Sequence, residues 1–131
     1  MKHQGRILIV DDNEDILLST KLLLKPHYEL VKTLDSPTQL ESVLKEAKDN
    51  QRDFDVVLLD MNFTYDAISG KEGFFWLDRT LAFDSRIVVV MMTAYSDTKL
   101  VVDAIKAGAS DFIAKPCSNE ALLASITAAF K

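Results

Sequence analysis

Ile7-Leu8-Ile9-Val10-Asp11-Asp12 and Val56-Val57-Leu58-Leu59-Asp60 share one plan, a run of branched apolar residues that ends abruptly in acid. Neither run alternates apolar with polar side chains. Both faces of each strand are therefore expected to be buried, as in a parallel sheet covered by helices on its two sides. Ile87-Val88-Val89-Val90-Met91-Met92 is a third run of the same kind and leads into Thr93. Weaker strands are expected around Tyr28 to Thr33 and Asp111 to Ala114.

Helical patterns lie between these runs. Leu40, Val43, Leu44 and Ala47 recur at i, i+3, i+4 and i+7 and make one apolar helix face. Ser36 is placed to cap that helix, Pro37 suits its first turn, and Gln39 completes a capping box. Ser69 and Glu72 form a second capping box ahead of Phe74, Leu77 and Leu81. A further helix is expected from about Asp97 to Lys106, stopped by Gly108 as a left-handed terminator. The last begins near Ser118 and carries Leu122, Ile126, Ala129 and Phe130, while the first follows Asn13 and ends before Pro26. Five repeats of strand then helix, joined by short connections, predict a doubly wound α/β sandwich of three layers. No linker, low-complexity segment or internal repeat interrupts residues 1–131, which read as one domain.

Composition narrows the function. The chain has 131 residues, 48% of them hydrophobic and 27% charged, the balance of an ordinary globular protein. Its net charge of -5 and the lack of a basic stripe argue against a nucleic-acid-binding surface. Cys117 is the one cysteine, so an internal disulfide and a cysteine metal cluster are both excluded, which fits a reducing cytoplasm. Residues 1–6 resemble neither a signal peptide nor an anchor, and no apolar run has the length of a membrane span.

Ligands of open parallel sheets bind at the carboxyl ends of the strands. The residues just past the buried runs are Asp11 and Asp12, Asp60, Thr93 and Lys115. Each has an ordinary reading when taken alone: Asp12 or Thr93 as a helix cap, Lys115 as a solvated charge, Pro116 as a loop residue. Together they do not. Three carboxylates at one sheet edge with one cation nearby repel one another unless a metal joins them. Hard oxygen donors in that number suit Mg²⁺, which takes one or two carboxylates, waters and a substrate phosphate. An aspartate can accept a phosphoryl group covalently, and Lys115 and Thr93 would supply a cation and a hydroxyl for the phosphoryl oxygens.

The blocks Val10-Asp11-Asp12, Leu58-Leu59-Asp60-Met61-Asn62, Met92-Thr93-Ala94 and Asp111-Phe112-Ile113-Ala114-Lys115-Pro116 resemble, in order, the signature blocks of response-regulator receiver domains. The resemblance spans nearly the whole chain. It implies a flavodoxin-like, chemotaxis-regulator-like fold with strand order 2-1-3-4-5. It implies that Asp60 is the phosphorylation site of a switch, not an enzyme of turnover, with the phosphoryl group coming from a sensor histidine kinase or a histidine phosphotransfer protein. Asp12 would ligate Mg²⁺ directly, Asp11 through a water, and Asp60 and the backbone carbonyl of Asn62 would complete the protein ligands. Lys115 would pair with the phosphoryl group, and Thr93 would bond it and swing inward on activation, followed by the aromatic Phe112. Phe112 has an equally ordinary reading as a core residue. Asn62 and Tyr95 stand where the family tunes phosphate lifetime. The face made by the fourth helix, last strand and last helix would bind an output partner or form a homodimer, in a cytoplasmic protein whose receiver touches neither nucleic acid nor membrane.

One departure is the loop 62–69 between Asp60 and Gly73, longer than the common pattern and with Thr64 where a proline usually stands shortly after the phosphorylated aspartate. Such loops resemble those of receivers in enhancer-binding transcription regulators, and of the two readings left open, a stand-alone receiver or part of a regulator with an output domain, that resemblance favours the second. Phe63 and Tyr65 within it would serve as cover or contact. Of three alternatives, the first two fail on their residues and the third is kept. A dehalogenase-type phosphatase shares the strand-end aspartate but needs an acid two residues on, where Asn62 stands. A flavodoxin needs a phosphate loop, where the acidic Asp11 to Asp15 segment would repel phosphate. A pseudo-receiver, a binding module without phosphorylation, usually loses an acid, the Thr or the Lys, and all are present here.

Overall fold

The computed structural model describes residues 3–51, 53–60, 71–93, 98–114 and 119–129. The element order is β1 (His3–Val10), α1 (Glu14–Leu24), β2 (Tyr28–Leu34), a 3-10 turn (Pro37–Gln39), α2 (Leu40–Asp49), β3 (Val56–Asp60), α3 (Lys71–Phe83), β4 (Val88–Thr93), α4 (Thr98–Lys106), β5 (Asp111–Ala114) and α5 (Asn119–Ala129). The strands form one parallel sheet of order β2-β1-β3-β4-β5. The expected five-stranded doubly wound fold is what the chain adopts.

The unbroken apolar runs are explained by two cores, one on each face of the sheet. Leu8, Val10, Val57, Leu59, Val89 and Met91 point to one face and meet Leu40, Leu44, Leu77 and Ala104 of α2, α3 and α4. Ile7, Ile9, Val56, Leu58, Val90 and Met92 point to the other and meet Leu17, Leu24, Leu122 and Ile126 of α1 and α5. Every residue of β3 is buried, because it lies at the centre of the sheet with helices on both sides. Truncating one of these side chains to Ala costs roughly 2–5 kcal/mol. The edge strand β2 instead exposes Glu29 and Lys32 among buried Tyr28, Val31 and Leu34, which is why its sequence signal is weaker.

Two boundaries differ in detail from the sequence reading. Ser36 does cap, but its Oγ accepts the Thr38 N–H at 3.3 Å and so serves the 3-10 turn. The α-helix proper begins at Leu40, with no side-chain hydrogen bond at its cap residue Gln39. Ile87 is buried one residue ahead of β4 as the end of a turn, its N–H donating to Asp84 O at 3.1 Å. Ser69, Phe63, Tyr65, Thr64, Ser118 and Phe130 lie outside the described residues.

The end of α4 is closed as expected. Gly108 has φ +113°, its N–H donates to Ile105 O at 3.1 Å, and the next N–H, of Ala109, reaches back to Ala104 O at 3.0 Å. These are the two bonds of a Schellman motif, and the buried Ala104 and Ala109 supply its apolar contact. A Cβ on Gly108 would collide with Leu81 Cδ1 of α3, so the glycine also seats α4 against α3. At the same amino edge of the sheet, Asp84 organises the turn between α3 and β4. Its carboxylate accepts Arg86 Nε and Nη2, and the Arg86 backbone N–H, each at 3.0 Å. The Arg86 guanidinium, and then its backbone N–H, hold the Asp84 carboxyl below the usual carboxylate range.

Gly108→Ala should lower stability by about 2 kcal/mol in urea unfolding, since it adds both a left-handed strain and the collision with Leu81. In a Leu81→Ala background the same change should cost less, because only the strain remains. Asp84→Asn should destabilise by roughly 1 kcal/mol at neutral pH. A carboxylate with a lowered folded pKa contributes above its ordinary value of 3.8. The difference between the two proteins should therefore vanish in acid unfolding as pH falls through the lowered value.

Candidate metal and phosphoacceptor site

Strand register assembles the site. Val10 of β1 pairs with Leu59 of β3, so the next residues, Asp11 and Asp60, come level at the same edge of the sheet. Asp60 also pairs with Met92 of β4, which places Thr93 one residue beyond it at the end of that strand. Thr93 in turn pairs with Ala114, the last residue of β5. Lys115, Asn62, Ala94, Tyr95 and Pro116 lie outside the described residues.

The segment after β1 is held by its backbone. The Asp11 N–H donates to Leu34 O at 3.1 Å, tying the segment to the end of β2. Asp11 Oδ1 accepts the Asn13 N–H at 2.9 Å in an Asx turn. Asn13 then caps α1, its Oδ1 accepting from Asp15 N at 2.9 Å and Ile16 N at 3.2 Å. The ordinary reading of Asp12 as the cap of this helix is thereby excluded. Leu34 O and Asn13 Oδ1 were not legible as site-forming groups, although an Asn directly ahead of a helix is a recognisable cap signal.

The outcome is a cluster of three acids. Ligand oxygens of Asp11, Asp12 and Asp60 lie within 4.8 Å of one another. Asp11 and Asp60 are 0% and 1% exposed, whereas Asp12 faces solvent. Two unit charges at such a distance repel by roughly 1 kcal/mol in water and about 4 kcal/mol in a partly shielded setting. Three hard oxygen donors converging at one point, two of them withdrawn from water and one open to it, fit a hard divalent cation with room for water or another ligand. Phe112 is apart from this cluster. It pairs with Met91, is partly buried, and packs on the core shared with α2, α3 and α4. Its N–H donates to Asp111 Oδ1 at 2.8 Å.

The sequence model of the response regulator receiver domain matches residues 7–127, across all five strands and their helices. The chain belongs to the response-regulator receiver family. This receiver is similar to the signal receiver domain of a two-component response regulator from Bacteroides fragilis, with a TM-score of 0.80, 45% identity and 98% of each chain covered. It is 35% identical over 120 residues to the alginate biosynthesis transcriptional regulatory protein AlgB of Pseudomonas putida, covering 92% of this chain and 25% of that protein. It is 30% identical over 122 residues to the chemotaxis protein CheY of Bacillus subtilis, covering 92% of this chain and 93% of that one. The receiver thus spans about a quarter of the AlgB protein and nearly all of CheY. Members of the family are phosphoacceptor switches and not enzymes of turnover. Among the described residues, no helix is long and apolar enough to cross a membrane.

With metals chelated, Asp12→Asn should raise stability by about 1 kcal/mol in urea unfolding by relieving repulsion within the cluster. The gain should shrink as salt is raised, because the Asp12 charge is open to screening.

Proposed function

We propose that residues 1–131 form one receiver unit that takes a phosphoryl group onto Asp60, with Mg²⁺ held by Asp11, Asp12 and Asp60. The observation that carries this reading is the convergence of three carboxylates at the strand ends, with Asp11 and Asp60 buried and Asp12 open. Bound Mg²⁺ would neutralise the charge gathered between the carboxylates and the incoming phosphoryl oxygens. Asp60 is the last residue of a fully buried strand, and its side chain is withdrawn from water at the strand end. A carboxylate oxygen of Asp60 forms the new O–P bond as the N–P bond of a phosphohistidine donor breaks. The donor imidazole leaves with the electron pair and takes up a proton.

The remaining roles follow the family resemblance. The Asn62 backbone carbonyl would complete the protein ligands, and Lys115 would pair with the phosphoryl oxygens. Thr93 would bond the phosphoryl group and couple it to Phe112. Its position supports that role, since it ends β4 one residue past the strand partner of Asp60 and pairs with the end of β5. Asn62 and Tyr95 would tune the lifetime of the phosphoryl group. The response would reach the face of α4, β5 and α5, where Val102 and Ile105 are exposed apolar residues suited to an output partner or a second copy. The donor would be a sensor histidine kinase or a phosphotransfer protein in the cytoplasm. The resemblance to transcription regulators makes gene expression the favoured output, with this receiver itself touching no nucleic acid.

Incubated with acetyl phosphate and Mg²⁺, the wild-type chain should gain one phosphoryl group by intact mass, and EDTA should prevent it. Asp60→Asn should remain unmodified under the same conditions. Equal labelling of the two proteins would reject Asp60 as the acceptor.

A further inference from the structure

Asn13 is bound in two directions. Towards α1, its Oδ1 accepts the N–H groups of Asp15 at 2.9 Å and Ile16 at 3.2 Å, and its carbonyl accepts the Leu17 N–H at 3.1 Å. These bonds begin the helix. Towards the acid cluster, its own N–H donates to Asp11 Oδ1 at 2.9 Å. Both sets of bonds share one backbone conformation, φ -96° and ψ 111°, which is extended and lies outside the helical region. A residue here without a side-chain acceptor leaves the N–H groups of Asp15 and Ile16 to solvent and loses what holds it in that conformation. The direction of its own N–H is then no longer fixed.

A helix cap needs only the first set of bonds. The second falls on a carboxylate that is 0% exposed and whose ligand oxygen lies within 4.8 Å of those of Asp12 and Asp60. A hydrogen bond to a charge withdrawn from water is stronger than one to a solvated charge. An aspartate side chain swings about two torsions, and one such bond limits both. We propose that Asn13 is a positioning residue of the metal site. Its N–H holds the Asp11 carboxylate ready for Mg²⁺, and its side chain anchors that N–H to the start of α1. The proposal rests on the reading of the three acids as a Mg²⁺ site, and it adds that a residue outside the acids sets part of their affinity. Ligands held in advance by a neighbouring group lose less freedom when the metal binds, and removing such a group weakens binding by about tenfold or more.

Urea unfolding over a series of Mg²⁺ concentrations reads the dissociation constant from the stability that the metal adds, separately from the stability of each metal-free protein. Asn13→Ala should raise that constant by about tenfold. Asn13→Ser, which keeps a capping oxygen, should bind Mg²⁺ within about twofold of wild type. Ser19→Gly loosens the exposed middle of α1 away from the site. It should lower the metal-free stability and leave the Mg²⁺ affinity unchanged. Asn13→Ala that binds Mg²⁺ as tightly as wild type overturns the proposal and leaves the metal reading standing. So does Asn13→Ser that fails to restore binding, or Ser19→Gly that weakens binding as much as Asn13→Ala, which would reduce the effect to helix stability. A wild-type chain whose unfolding is indifferent to Mg²⁺ overturns the metal reading and the proposal together.

Discussion

Two carboxylates, Asp11 and Asp60, sit out of water within reach of a third, and the frame around them has to bear their mutual repulsion. What holds them there is the pairing of β1 with β3, strands buried on both faces and fixed in register by two separate cores. A slip of one residue in that pairing would turn every apolar side chain of the strand to the wrong face. The strand ends that carry the acids are thus brought level by the hydrophobic effect acting on their neighbours.

The rest of the site edge is built with backbone groups. Leu34 O holds Asp11 from the end of β2, Asp11 turns the chain for Asn13, and Asn13 starts α1. Each bond satisfies a donor that the end of a strand or the start of a helix would otherwise leave open. In this way the short polar segment between β1 and α1 is tied to both its neighbours and to β2, and such ties preorganise the groups of a binding site. The opposite edge of the sheet is kept together differently, by Asp84 with Arg86 and by the turn they form.

The helices differ in what they offer outward. Leu18 and Leu22 of α1 and Val102 and Ile105 of α4 are exposed on opposite faces of the sheet, since α1 packs on the core with α5 and α4 on the core with α2 and α3. Receivers similar in sequence to this one occur both in a transcription regulator and as a chemotaxis protein. Separate apolar patches on opposite faces allow one scaffold to meet one partner without blocking another. Gly108, by letting Leu81 lie against the end of α4, fixes that end of the helix in relation to α3.

Much of this was readable in the sequence. Three unalternating apolar runs meant a sheet covered on both sides, and acids placed directly after two of them meant a site at its carboxyl edge, because burial dictates pattern and strand ends are where polar residues return. Gly108 was readable for a similar reason, since few other residues tolerate its conformation. The strand order, resemblance apart, came from long-range pairing, which local pattern does not encode. Only the folded chain decided that Asp11 and Asp60 stand level while Asp12 faces water. It also gave the capping of α1 to Asn13 and not to Asp12, and it left Leu18 and Leu22 uncovered. Pattern determines which side of an element is apolar. Whether that side is covered, and which neighbours share a strand end, depends on register between segments far apart in the chain, and that is settled only when both cores close.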